Sequence, residues 1–184
     1  MSDFTSPQQA VTPLFASASG AAGNVRANIA ASGQSFTAAA RTWVAKLVAY
    51  MPVYLPYPYP VKRVFWVNGS TNTSTNVDFG IYSWDGTRIY NTGSTVMGTV
   101  STVQYVTPGT DFVLDAGRYY FAWSCDNTTN RGYAIGGSAI GSRLAGMLEE
   151  TTGSFGLPAT MTPVAFARAW GQSLCGVTRT TTGF

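Results

Sequence analysis

The sequence predicts an all-β protein, a β-sandwich or jelly roll carrying an extended N-terminal arm. Three observations lead to this expectation. Short apolar and aromatic runs recur with turn signals about every 8 to 12 residues. No segment sustains the 3.6-residue period of an amphipathic helix. The first forty residues also differ in composition from everything that follows.

Residues 1–40, "MSDFTSPQQAVTPLFASASGAAGNVRANIAASGQSFTAAA", are rich in Ala, Ser, Gly and Gln and poor in large apolar side chains. Such a segment cannot build a core of its own. It reads as an arm, extended and ordered by a partner; a disordered tail fits the composition equally well. The part around Asn24 to Ala31 is compatible with a short helix. The sandwich domain is expected over residues 41–184.

From Arg41 the pattern changes. "TWVAKLVAYMPVYL" is apolar and β-rich and ends at "PYPYP", residues 56–60, expected as a polyproline-like connector because alternating Pro cannot continue a central strand. A Pro-Tyr-Pro run can also serve as a groove ligand, but nothing around it resembles a disordered recognition motif. Then follow a strand "VKRVFWV", a polar loop "NGSTNTSTN", and two strands, "VDFGIYSW" and "TRIYN", flanking Asp85-Gly86. "TVSTVQYV", the turn "TPGT", "DFVL" and the aromatic "GRYYFAWSC" continue the series. After "DNTTNRG" the chain is Gly-rich and irregular to about residue 158, with a turn of helix expected near Leu144 to Glu149. "TPVAFARAW" and "SLCGVTRT" are expected to close the sandwich. No internal repeat aligns.

Asp-Gly between two such strands signals a two-residue type I′ hairpin. Trp84 would then face Thr87, Tyr82 face Ile89, and Ile81 face Tyr90. Alternation puts Phe79, Ile81 and Tyr90 on one face and Tyr82, Trp84 and Ile89 on the other. In "YYFAW", Tyr119, Phe121 and Trp123 share a face opposite Tyr120 and Ala122. One set must line the core. The second is covered within the chain, buried against a neighbouring subunit, or exposed as a stacking platform for sugar rings. The candidate binding residues, for subunit or glycan, are Tyr82, Trp84, Ile89 and Trp66.

Of the 184 residues, 45% are apolar and 10% charged, against about 25% charged in an average soluble domain. Surface covered by other chains explains so low a charge, pointing to a homo-oligomer or assembly component. The formal charge is +3, yet the basic residues are scattered and only Lys62-Arg63 are adjacent. No stripe exists to follow a phosphate backbone, so nucleic acid is not an expected partner. No run approaches the roughly 18 apolar residues of a membrane span. The N-terminus lacks the basic and apolar regions of a signal peptide. The expectation is a soluble protein made in a cytoplasm, with no membrane partner. Two cysteines, Cys125 and Cys175, read more economically as free thiols than as a bridge. The sequons at Asn68, Asn72 and Asn127 are expected by chance in so Ser/Thr/Asn-rich a chain.

With no histidine, Ser-His and Cys-His nucleophile pairs are excluded. A glycosidase needs two carboxylates about 5 to 9.5 Å apart. Asp111 and Asp115 flank a short strand, Glu149 and Glu150 are neighbours pointing apart, Asp85 belongs to its turn, and Asp78 starts a strand. None forms an evident pair, so no catalytic residue is assigned and no enzymatic activity is expected. An oxygen-ligand cation site is conceivable around Asp126, Asn127 and Asn130, but the spacing matches no calcium loop and a polar turn explains it. "GSAIGS" does not follow a strand and open a helix, so it is no nucleotide loop. No metal or cofactor is expected.

"VDFGIYSWDGTRIYNTGS" and "TPGTDFVLDAGRYYFAWSCDN" together resemble β-sandwich domains in virion structural proteins of tailed bacteriophages, among them head decoration, tail and fibre proteins. The resemblance covers about residues 61–126. It implies a non-enzymatic, oligomeric, often trimeric protein carried on the particle, with the arm at residues 1–40 tying it to other virion proteins. The absence of a collagen-like repeat, a long heptad series or a shaft counts against a long fibre. The rival expectation is a receptor module binding a cell-surface glycan through Tyr82, Trp84 and Trp66. Such families have no fixed catalytic motif, so no functional residue is carried over.

Overall fold

A computed structural model describes residues 25–27, 38–71, 76–129, 131–135, 142–143, 145–168 and 175–181. These residues are nearly all β and form antiparallel sheets, an arrangement compatible with a sandwich. The larger sheet runs in the order β14 (Val164–Ala165), β13 (Leu148–Thr151), β3 (Leu47–Leu55), β11 (Gly117–Cys125), β6 (Asn76–Ser83), β7 (Arg88–Asn91). The short β8 (Thr95–Val96) also pairs with β6, continuing the β7 edge. A four-stranded sheet has the order β1 (Val25–Ala27), β15 (Cys175–Thr178), β5 (Arg63–Val67), β9 (Val103–Val106). Two ribbons complete the set: β10 (Phe112–Leu114) with β4 (Tyr59–Val61), and β12 (Arg131–Ile135) with β2 (Ala38–Thr42).

Alternation along the three central strands decides what is inside. Met51 and Val53 of β3, Tyr119, Phe121 and Trp123 of β11, and Phe79 and Ile81 of β6 point to one side. There they join Val64 and Trp66 of β5 and Cys175 and Val177 of β15 in one buried cluster. Trp123 is the meeting point. Trp66 packs against its ring at 5.3 Å and Trp43 at 6.0 Å, both edge-on, the geometry that the ring quadrupole favours. Every expected strand core from residue 47 to residue 125 forms, and the two faces of "YYFAW" divide as the alternation requires.

The proline positions follow from the lost N–H. Pro52 lies inside β3, opposite Tyr120, beyond the last β3 residue that pairs with β13. At that point β3 is an edge, so no ladder bond is missing. The "PYPYP" connector is only partly that. Tyr59 and Pro60 already belong to β4, with Pro60 opposite Val113 in a two-stranded ribbon that needs donors on one side only.

Three other expectations are corrected. Leu148 and Glu149 are in strand β13 rather than a turn of helix, because they pair with Tyr50 and Ala49 of β3. Val25–Ala27, within the segment compatible with a helix, is strand β1 on β15, and Ala38–Thr42 pairs with β12. The rest of residues 1–40 lies outside the described residues. Among the described residues of "TPVAFARAW", only Val164–Ala165 are in a strand.

The hairpin departs from type I′. Ser83 N–H donates to the Thr87 carbonyl and Gly86 N–H to the Ser83 carbonyl, so the loop has three residues, Trp84, Asp85 and Gly86. Gly86 sits at φ +92°, where only glycine rests without strain. The Asp85 carboxylate accepts from Ser83 Oγ and Thr87 N–H, which selects this turn and holds the acid below its usual range. Trp84 is therefore in the turn and does not face Thr87. Ile81 does face Tyr90, but Tyr82 faces Arg88, and the extra residue, Ile89, bulges outward.

Candidate functional site

The outer face of the larger sheet carries Val48, Tyr50 and Pro52 of β3, Tyr120 and Ala122 of β11, and Gly80 and Tyr82 of β6. Tyr50 meets Tyr82 at 5.3 Å and Tyr120 at 6.5 Å, edge-on in both cases. Most of this face is covered by the chain itself. Residues 152–162 cross it, with Leu157 and Met161 packed among the tyrosines.

The crossing loop is held at many points. Leu157 N–H donates to Asp78 Oδ2 at 3.0 Å, while its carbonyl accepts from the Arg88 guanidinium. Tyr82 OH donates to the Pro158 carbonyl at 2.6 Å. Thr162 donates its N–H and hydroxyl to Glu150, which also accepts from Tyr50 OH at 2.8 Å. Arg88 N–H donates to the Ala159 carbonyl and Met161 N–H to the Gly86 carbonyl. Burial pushes the Tyr50 and Tyr82 hydroxyls well above their ordinary value, and the Glu150 bond adds to the effect at Tyr50. A shallow hollow of about 410 Å³ remains, lined by Glu150 to Pro158.

The covering ends near Gly86, and the face reopens there. Trp84 is 48% exposed and lies flat on Tyr120, centroids 4.7 Å apart and planes 4° from parallel. The Arg118 guanidinium sits 5.4 Å from the Trp84 ring centre. Arg118 pairs across the ladder with Tyr54, which is 44% exposed. Arg118 thus lies between two exposed aromatic residues, Trp84 at its side and Tyr54 across the ladder. Beyond it, the β7 and β8 edge exposes Ile89 (46%) and Val96 (65%).

The four residues expected from the sequence separate accordingly. Trp84 and Ile89 are accessible. Tyr82 is buried under the loop, and Trp66 is 1% exposed in the core, its Nε1 donating to Asn68 Oδ1 at 2.9 Å. Neither can stack on an external sugar, which corrects both assignments. Tyr54 and Arg118 were missed. The sequence carries a signal for them: Arg118 stands one step before the buried run of β11 and Tyr54 at the far end of the buried run of β3, both on the parity of the outer face.

The carboxylates act as fasteners. Asp78 is buried and, besides Leu157, accepts from Asn91 Nδ2 at 3.1 Å and Thr92 Oγ1 at 3.3 Å. Asp126 Oδ2 accepts from the backbone and side-chain nitrogens of Asn76. Glu149 lies 3.4 Å from Arg168, and Asp111 is ion-paired with Lys62. The conceived cation site falls partly outside the described residues at Asn130, and Asn127 Oδ1 caps Thr129 N–H. Among the described residues no group of three or more His, Cys, Asp or Glu side chains gathers as metal ligands would. The sequon residue Asn68 is buried, with Nδ2 donating to the Thr99 carbonyl and Gln104; Asn72 lies outside the described residues. Cys125 and Cys175 are buried thiols not joined by a disulfide, and burial pushes the Cys175 thiol far up, which makes it inert.

No protein-family model matches the chain, and no curated protein matches it.

Proposed function

We propose that this protein is a non-enzymatic structural component of a tailed-bacteriophage virion, of the head-decoration or tail-associated kind, built on a β-sandwich of jelly-roll type. It self-associates and docks on other virion proteins through its N-terminal segment. The observation that supports this reading best is the exposed apolar edge of the larger sheet, Ile89 on β7 and Val96 on β8. The crossing loop pairs with the start of this edge through Arg88 N–H and the Ala159 carbonyl, and beyond that point an edge strand with exposed apolar side chains is a ready template for another chain. Chains this poor in charge have little else to keep such an edge solvated. Residues 152–162 cover most of the outer aromatic face, which favours the edge over that face as the interface.

The docking role is tested by removing residues 1–24, which leaves β1 in place. The truncated protein is expected to fold and to stay off particles that incorporate the full chain. Normal incorporation of the truncated chain would overturn the reading.

A second reading, a receptor module for a cell-surface glycan, is favoured by one observation, the exposed Trp84 ring held flat on Tyr120. The two readings use different surfaces and are compatible in one molecule.

A further inference from the structure

We propose that the strip Tyr54–Arg118–Trp84 is a binding site for a carboxylate-bearing sugar residue of a surface glycan; this deepens the second reading above and does not depend on the first.

The ring is set before any ligand arrives. Trp84 stacks on Tyr120, Tyr120 meets Tyr50 edge-on, and the Tyr50 hydroxyl is tied to Glu150. A ligand that packs on this indole therefore immobilises little that was free, which preserves affinity. An indole with nearly half its surface exposed suits the apolar C–H face of a pyranose ring, and a second exposed ring, Tyr54, stands on β3, with Arg118 on β11, the strand between β3 and β6.

The charge selects the ligand. Among the described residues no carboxylate lies within 4.0 Å of the Arg118 guanidinium and no hydrogen bond engages it. The acid closest in sequence to Trp84, Asp85, holds its own turn through Ser83 and Thr87. An unneutralised guanidinium beside an aromatic ring offers a planar fork that a carboxylate fills with two charge-assisted bonds. A second copy of this chain fits poorly, since a two-fold contact across the strip would bring Arg118 toward its own symmetry mate.

The test presents the full-length protein, at physiological salt, to an array of uronate- and sialate-bearing oligosaccharides with their neutral counterparts. Poly-glutamate is included, and Trp84→Ala and Arg118→Gln are run in parallel. The expected result is retention of carboxylate-bearing glycans over neutral ones, lowered roughly tenfold or more by each substitution. Far-ultraviolet circular dichroism matching the parent, with a cooperative urea transition, shows that both variants fold. Arg118→Gln binding the acidic glycans as well as the parent, or no acidic glycan retained at all, would overturn the proposal. Poly-glutamate held as well as the best glycan would assign the strip to an acidic peptide instead. A fall in solution mass on Trp84→Ala would assign it to self-contact. Failure in any of these ways leaves the particle-incorporation experiment untouched.

Discussion

Asp78 Oδ2 accepts the Leu157 N–H at 3.0 Å across 79 residues of chain, and this bond seats the loop that covers the tyrosine face. The same carboxylate gathers Asn91 and Thr92, so one buried acid joins β6, the exit of β7 and the crossing loop.

Asp78→Ala removes the acceptor for those buried donors, and hydrogen bonds to a charged group are worth about 1.5–3 kcal/mol each. We expect a loss of about 3 kcal/mol in urea-induced unfolding, together with new protease cleavage between residues 152 and 162. Unchanged stability and an uncut loop would show that Asp78 does not hold it.

Gly80 lies beneath that loop. A Cβ there would come within 2.4 Å of Leu157 Cδ1 and 3.0 Å of the Tyr90 carbonyl. Gly80→Ala is expected to cost about 1–3 kcal/mol through overpacking. Leu157→Ala should recover part of this in a double-mutant cycle, leaving the share owed to the rigid Tyr90 backbone. Strict additivity would mean that the two residues do not touch.

The faces were legible in the sequence because alternation is strict: Phe79 and Ile81 inward, Tyr120 and Ala122 outward follow from parity alone. What covers the outward set was not legible. Residues 152–162 have no periodicity, and their place is fixed by partners distant in sequence, such as Asp78, Arg88 and Glu150. Asp78 itself left a usable sign. An acid on a strand whose neighbours are all large and apolar must find donors, and reading it as a strand start passed over that requirement. The hairpin went wrong for a local reason, since Asp-Gly serves both the two-residue turn and the three-residue turn with glycine last, and the Asp85 bonds to Ser83 and Thr87 select the latter. Trp66 reads as a surface ring in the sequence because one strand by itself does not reveal which of its faces meets a second sheet.

The two tryptophans now give opposite expectations. Trp66→Ala should cost about 3–5 kcal/mol as a core truncation. Trp84→Ala should cost only about 1 kcal/mol, the value of a stacked aromatic pair. Chemical denaturation of both variants checks this; equal losses would contradict the assigned burial.

Alkali should loosen the outer face. Tyr50 and Tyr82 keep their protons when folded at a pH where the unfolded chain, titrating near 10.0, has released them. The unfolded state then binds fewer protons, so stability is intact below about pH 10 and falls as pH rises beyond it. Melting temperatures between pH 9 and pH 11.5 should drop, and Tyr50→Phe should flatten the slope. A parent protein whose melting temperature is level over that range would refute the burial of these hydroxyls.

The central claim is that this chain works as a self-associating structural subunit, and solution mass by light scattering at several concentrations tests it most directly. We expect the parent to form a stable oligomer, and Ile89→Asp with Val96→Asp to reduce it to a folded monomer. A parent that stays monomeric at every concentration would contradict the account.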